Sequence, residues 1–232
     1  MATQAEVNRV FSSVASRYDV MNDIMSFGLH RLWKRELCSR IVKHSGTTLL
    51  DVAGGTGDIA LRALQQRGGL RITVCDISQE MLNVGRKKSI DCGQVSINWV
   101  CASGECLPFP DNAFDYYTIA FGIRNIPDRQ AALKEAYRVL KPCGRFLCLE
   151  FSPILEDSAF KTAYDLYSFF VIPKIGKIVA GDIGAYSYLV ESIRAFPTQK
   201  QFSSEVADAG FFKITHKNVC GGIATLYSAW KV

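Results

Sequence analysis

The chain predicts an α/β fold: a mostly parallel, doubly wound sheet finished at its C-terminal end by an antiparallel hairpin. Three observations carry that expectation. Short apolar runs alternate with stretches of helical period between Leu49 and Phe151, which is how strands joined by crossover helices read. The first run, Leu49 to Asp58 (LLDVAGGTGD), ends in an acid and then breaks into glycines, like the opening strand-loop-helix of a nucleotide-binding sheet. Near the C-terminus, Phe212 to Asn218 and Ile223 to Trp230 read as two strands folded back around Gly221-Gly222.

Composition narrows the setting. At 232 residues the chain is long enough for one domain with a full core. A hydrophobic share of 48% beside 21% charged residues is ordinary for a globular enzyme and excludes a disordered chain. There is no window of 18 apolar residues, so no spanning helix is expected, and no basic-then-apolar leader or transit signal is read at the N-terminus. The net charge of +5 permits attraction to an anionic membrane but reads first as a solvated, slightly basic surface, and no nucleic-acid partner is expected. The 8 cysteines contain no C-x-x-C, and with His30, His44 and His216 they form no zinc spacing, so no metal is expected. Cys75, Cys101 and Cys148 fall in apolar strand patterns, and all the thiols read as reduced, which points inside a cell.

Taken in order, Thr3-x-x-Glu6 has the form of a capping box, and Val7, Val10, Phe11 and Val14 follow at helical spacing. Ser16 to Trp33 mixes Tyr18, Met21, Met25 and Phe27 with Asp19, Asp23 and His30, which suits either a lid over a pocket or a helical cap on the sheet. Trp33 to Val42 reads as a helix entering the first strand. Ile59 to Gln66 is a helix stopped by Gly68-Gly69, and Arg71 to Cys75 is a strand ended by Asp76. Ser78 caps a helix that runs to Lys88, and Val95 to Val100 is the third strand. Phe114 to Phe121 is the fourth strand, Arg129 to Leu140 a helix closed by Lys141-Pro142, and Gly144 to Phe151 the fifth strand. Phe160 to Val179 is aromatic-rich and broken by Pro173 and Gly176. Tyr186 to Phe196 and Ser203 to Ala209 read as helices before the hairpin. A parallel core with such a hairpin is the architecture of Rossmann-like methyltransferases, by analogy of fold.

The glycine turn leaves two ligand classes to separate. Gly55-Thr56-Gly57-Asp58-Ile59-Ala60 fits the dinucleotide form G-x-G-x-x-A, with Asp76 at the distance expected of a ribose ligand. Asp51 and Asp58 flank the turn, however, and two carboxylates there would repel a pyrophosphate. They suit a cationic ligand without phosphate, of which S-adenosylmethionine is one. Ligands of open α/β sheets lie beyond the carboxyl ends of the strands. Gly55, Thr56 and Gly57 then meet the methionine part, and Asp76, with Ile77 beside it, meets the ribose unless it is a helix-entry cap. Ser103-Gly104-Glu105 meets the adenine edge, and Ala120 ends the fourth strand on the same side. Arg124-Asn125 follows that strand, where Arg seldom sits for packing reasons. It faces the side from which a methyl group would leave, or else it pins the loop by pairing with an acid.

ASRYDVMNDIMSFGLHRLWK, LLDVAGGTGD, FGIRN, RVLKPCGR, LEFS and YLVESIRAFPTQ together resemble the C-methyltransferases of ubiquinone and menaquinone biosynthesis, from about Val10 to Trp230. The resemblance implies a class I S-adenosylmethionine-dependent enzyme with a seven-stranded sheet and helical lid insertions. It would act on a ring carbon of a polyprenylated quinol, either a methoxybenzoquinol or a demethylmenaquinol. It implies a single domain: a lid over 1–45, a cofactor core over 46–151, a substrate or interface insertion over 152–210 and the hairpin over 211–232. Cofactor contacts carry over to Thr56, Asp76 and Ser103-Gly104, where the family usually shows Asn-Ala; Ala120 stands for a common Ser and Cys143 for a common second Gly. Ring-carbon attack needs a quinol hydroxyl made phenolate-like. That assigns Arg124 and Asn125 to the oxyanion or a bound water, and Tyr18, Asp23 or His30 to the proton path. The aromatic run at 160–179 would carry the prenyl tail and touch a membrane, or sit in a homodimer interface, with other enzymes of quinone synthesis as further partners. The expected place is the cytoplasmic side of a bacterial inner membrane or the matrix side of a mitochondrial one. A nicotinamide-dependent oxidoreductase and a non-catalytic subunit of a quinone-synthesising complex are the alternatives.

Overall fold

The structure, a computed structural model, describes residues 26, 28–42, 46–67, 69–153 and 191–232. The expected opening helix, Tyr18 and Asp23 of the lid, and the aromatic run at 160–179 lie outside the described residues.

The elements follow from the sequence pattern with a few shifted ends. Helix α1 (His30–Ser39) buries Trp33, Leu37 and Cys38, spaced so that one face meets the sheet. Strand β1 (Thr48–Val52) enters the glycine turn, and helix α2 (Asp58–Arg67) leaves it. Strand β2 (Arg71–Asp76) is followed by helix α3 (Gln79–Asp91), whose cap is Ser78, its side chain accepting from the Met81 amide. Strand β3 (Asn98–Cys101) starts three residues later than its apolar run suggested. Strand β4 (Phe114–Ala120) leads into a short 3₁₀ turn at Ile123–Asn125, then helix α4 (Arg129–Val139), capped by Asp128.

Strand β5 (Leu140–Phe151) starts directly from α4, earlier than expected. Its beginning is irregular: the pairing with β4 shifts register between Phe114 and Tyr116, and Cys143 sits at φ +61°. Such a kink, with Pro142 beside it, erases the period-2 signal from which a strand is read. Residues 191–195 are helical. Helix α5 (Gln199–Asp208) begins four residues before Ser203, because Thr198 and Gln201 form a capping box. Strands β6 (Phe212–Val219) and β7 (Ala224–Trp230) make the closing hairpin.

The sheet has seven strands in the order β3-β2-β1-β4-β5-β7-β6. Strands β1 to β5 pair in parallel, β7 runs antiparallel to both β5 and β6, and the expected closing hairpin is therefore present. Alternation along β1 sends Leu49 into the layer that holds Trp33, Leu37 and Ile59, and Leu50 into the opposite layer with Leu133, Phe146 and Phe202. The winding direction reverses between β1 and β4. At that switch point the loops leaving two adjacent strands diverge and open a crevice at their carboxyl ends.

Candidate active site

A cleft of about 1010 Å³, its open mouth included, occupies this crevice. Its walls come from the turns after β1, β2, β3 and β4 and from Lys34 of α1. Asp51, Gly55, Thr56, Asp76, Ile77, Ser103, Gly104, Ala120 and Asn125 all line it, as the sequence placed them.

The glycines divide by task. Gly55 stands at φ +54° on the cleft wall, where a Cβ would come within 2.9 Å of the Met81 methyl. Gly57, expected to admit the ligand, does not line the cleft. A Cβ there would meet the Trp99 ring at 2.6 Å, and the same ring closes on Gly85. Its glycine serves helix-to-strand packing. Gly122 is held by the neighbouring turn, since a Cβ would lie 2.4 Å from the Cβ of Ala53.

The two acids that flank the turn differ in charge state. Asp58 is bound by Lys34 at 2.7 Å and by Arg62 at 2.8 Å. Burial would raise its carboxyl, but the two cations outweigh burial and hold it at about 2. Asp58 is thus a neutralised acid, which removes half of the charge repulsion read from the sequence. Asp51 makes no such ion pair among the described residues. It is fully buried, accepts 2.8 Å from the Thr118 hydroxyl through Oδ1, and its Oδ2 has no hydrogen-bond partner among the described residues. Burial pushes its carboxyl up to about 7, with Thr118 and Lys34 pulling the other way. Asp76 is also raised by burial, and its two oxygens accept from the amides of Gly55 at 2.8 Å and Ser78 at 2.9 Å. A buried carboxylate oxygen left without a donor, beside a glycine wall, fits a cationic ligand group and not a phosphate. The residues present therefore fit S-adenosylmethionine.

The acceptor side departs further from expectation. Arg124 does not line the cleft. Its side chain is 3% exposed and pairs with the fully buried Glu150 at 2.9 Å, which is the loop-pinning alternative. Sequence spacing hides this pair, because Glu150 lies one strand away and 26 residues on. His30 is buried in the first turn of α1, its amide donating to Ser26 Oγ at 3.1 Å, and it does not line the cleft either. Asn125 alone of the described acceptor-side candidates reaches the wall. Lys34 is a charged cleft residue the sequence reading missed, beside the apolar wall residues Met81 and Phe121. It follows His30 by one helical turn on the face turned to the sheet, and a lone cation on such a face was the available signal.

A parallel sheet ended by this hairpin, with a phosphate-averse cleft at the switch point, defines the class: an S-adenosylmethionine-dependent methyltransferase. More closely, the chain belongs to the ubiE/COQ5 methyltransferase family, whose model matches residues 1–231. It is 54% identical to the ubiquinone/menaquinone biosynthesis C-methyltransferase UbiE of Rickettsia bellii (strain OSU 85-389), over 99% of this chain and 94% of that protein. It is 52% identical to the protein of the same name from Brucella abortus (strain S19), over 99% of this chain and 86% of that one. Among solved structures it resembles a SAM-dependent methyltransferase from Aquifex aeolicus, with TM-score 0.65, 19% identity, and coverage of 95% of this chain and 98% of that one. The [4+2]-cyclase SpnF superposes at TM-score 0.73 with 17% identity, over 99% of this chain and 96% of that one, which shows that the fold alone does not set the reaction.

Proposed function

We propose that this protein methylates a ring carbon of a polyprenylated quinol, a methoxybenzoquinol or a demethylmenaquinol, in ubiquinone or menaquinone synthesis. Relatives of that function at over half identity support the reaction, and the Asp51 oxygen without a partner among the described residues is the structural observation that carries the choice of cofactor. Bound S-adenosylmethionine supplies an electrophilic methyl group on a sulfonium.

The chain's own residues supply placement and electrostatics. Asp51 takes up a cationic group, Asp76 the ribose hydroxyls, and the backbone of Gly54 to Thr56 the remainder of the methionine part. Ser103 and Gly104 offer backbone contacts to the adenine, with Ala120 and Ile77 packing against the nucleoside. Phe121 and Asn125 lie on the wall beyond Ala120, where an acceptor ring would approach. A side-chain amide there can donate to a quinol oxygen as negative charge builds on it. Tyr18 and Asp23 of the N-terminal stretch are the groups left to take the hydroxyl proton, since His30 is packed into the core. The mildly basic charge and the aromatic run at 160–179 support a peripheral membrane site for drawing a prenylated substrate, on the cytoplasmic or matrix face. The same run supports a homodimer if it is covered by a second copy.

The test pairs binding with turnover. S-adenosylmethionine should raise the melting temperature while nicotinamide dinucleotides leave it unchanged, and radiolabelled methyl should pass to at least one of the two quinol types. Stabilisation by a dinucleotide without methyl transfer would restore the oxidoreductase alternative; cofactor binding without transfer to either quinol would restore the non-catalytic one.

A further inference from the structure

Four segments that are far apart in sequence meet behind the acceptor wall of the cleft. Arg124 comes from the turn after β4, Glu150 from the end of β5, Ser192 from the helical residues 191–195, and Trp33 from α1. Glu150 Oε1 accepts from Arg124 Nη1 at 2.9 Å and from the Phe151 amide at 2.9 Å, while Oε2 accepts from the Arg124 amide at 3.3 Å. The same Nη1 donates to the Phe121 carbonyl, and Nε donates to Ser192 Oγ at 3.3 Å. The guanidinium lies 5.7 Å from the centre of the Phe151 ring, and Phe151 packs at a tilt on Phe121 at 4.6 Å, with Trp33 edge-on to Phe151 and tilted against Phe121.

The pair therefore grips the Phe121–Asn125 turn at two points, the carbonyl at its start and the amide of its fourth residue. The turn needs such a grip, because Phe121 stands at φ +58°, a left-handed conformation that a bulky side chain rarely adopts. Neither Arg124 nor Glu150 lines the cleft, whereas Phe121, Gly122 and Asn125 do. A buried ion pair is weak as a source of stability, since apolar side chains of equal volume often serve as well. Its best-attested use is to select one geometry.

We propose that Glu150 is a positioning residue for methyl transfer: through Arg124 it fixes the Phe121–Asn125 turn so that Asn125 faces the acceptor. Arg124 then acts on the turn and not on the substrate. The inference rests on the methyltransferase reading for its activity arm, while its second arm reads the turn itself without substrate.

Glu150→Gln keeps the shape and removes the charge. The expected result is a kcat lower by about 30-fold with the cofactor Kd and the quinol KM each within about 3-fold of the parent, the split of an interaction made in the transition state. Arg124→Lys, which keeps the charge but cannot reach both the Phe121 carbonyl and Ser192, should fall between. In cofactor-free protein labelled at asparagine, the Asn125 side-chain amide resonance, identified by its loss in Asn125→Asp, should move in Glu150→Gln. Ser192→Ala removes a single grip and should move the same resonance less and lower kcat by about 3-fold; it serves if Glu150→Gln does not fold. An unmoved Asn125 resonance with unchanged kcat in the folded variants would overturn the proposal. So would normal turnover in Glu150→Gln beside an inactive Arg124→Lys, which would place Arg124 on the substrate itself. If the parent protein methylates no quinol, the functional reading fails while the Asn125 resonance still decides whether Glu150 sets the turn.

Discussion

At the scale of the residue, Asp51 couples burial, charge and ligand choice. Its carboxyl is raised from 3.8 to about 7 by burial. An acid whose folded-state value is raised holds its proton longer in the folded protein than in the unfolded chain. The unfolded chain therefore gains stability relative to the folded one as pH climbs from about 4 to about 7, and the cost is complete above 7. The linked difference is on the order of 4 kcal/mol as an upper limit. Asp51→Asn should flatten that dependence, seen as a urea midpoint that changes less between about pH 5 and pH 8 than the parent's. A cationic group beside Asp51 Oδ2 would draw the carboxyl back down. Cofactor binding near neutral pH should thus release protons, a release that calorimetry in buffers of different ionisation enthalpy should find reduced in Asp51→Asn. Equal proton release in the two proteins would remove Asp51 from the site. Gly122 sets a second residue-scale limit. Its φ of −116° is open to any residue, so room and not conformation requires glycine there. Gly122→Ala places a methyl 2.4 Å from that of Ala53 and pushes two cleft turns apart. It should cost about 1–3 kcal/mol in chemical denaturation and weaken the cofactor Kd by about tenfold or more.

Among the elements, what could be read in advance was what local chemistry determines. The apolar runs of β1, β2, β4 and β7, the Ser78 cap and the helix start at Arg129 needed only nearest neighbours in sequence. The misplaced ends have local causes of a subtler kind: the Thr198–Gln201 capping box at α5 and the kinked start of β5. Two placements were hidden for another reason. Gly57 resembles a ligand glycine until Trp99 arrives against it, and Arg124 resembles an exposed functional cation until β5 brings Glu150 beneath it. Both depend on pairings across the sheet that no window of sequence contains. The β5 kink also yields a prediction. Cys143 occupies φ +61° and is exposed, its amide donating to the Lys231 carbonyl at 2.9 Å, so its side chain contributes strain and little packing. Cys143→Gly should raise stability by about 1 kcal/mol, read as a melting point higher by several degrees, with cofactor affinity unchanged. A lower melting point would mean that the thiol packs usefully after all.

For the whole molecule, the strand order brings the turn after β1 and the turn after β4 together at the switch point, and the cleft opens between them. The glycine turn and its acids identify a methyl donor; they are silent on the acceptor, as the shared fold of a cyclase illustrates. Family membership supplies the acceptor class, and the proposed roles place Asn125 at the wall with Arg124 and Glu150 behind it. Carbon attack also sets this reaction apart from simpler methylations, because the quinol offers two hydroxyl oxygens that are better exposed than the ring carbon. Steering the methyl to carbon is then a matter of orientation imposed by the cleft wall. The most direct measurement is the position of the transferred group. With S-adenosylmethionine carrying a trideuterated methyl and a demethylated quinol as acceptor, deuterium NMR of the product should show the label on a ring carbon. A label on oxygen as a methoxy group, or no labelled product from either quinol, would contradict it.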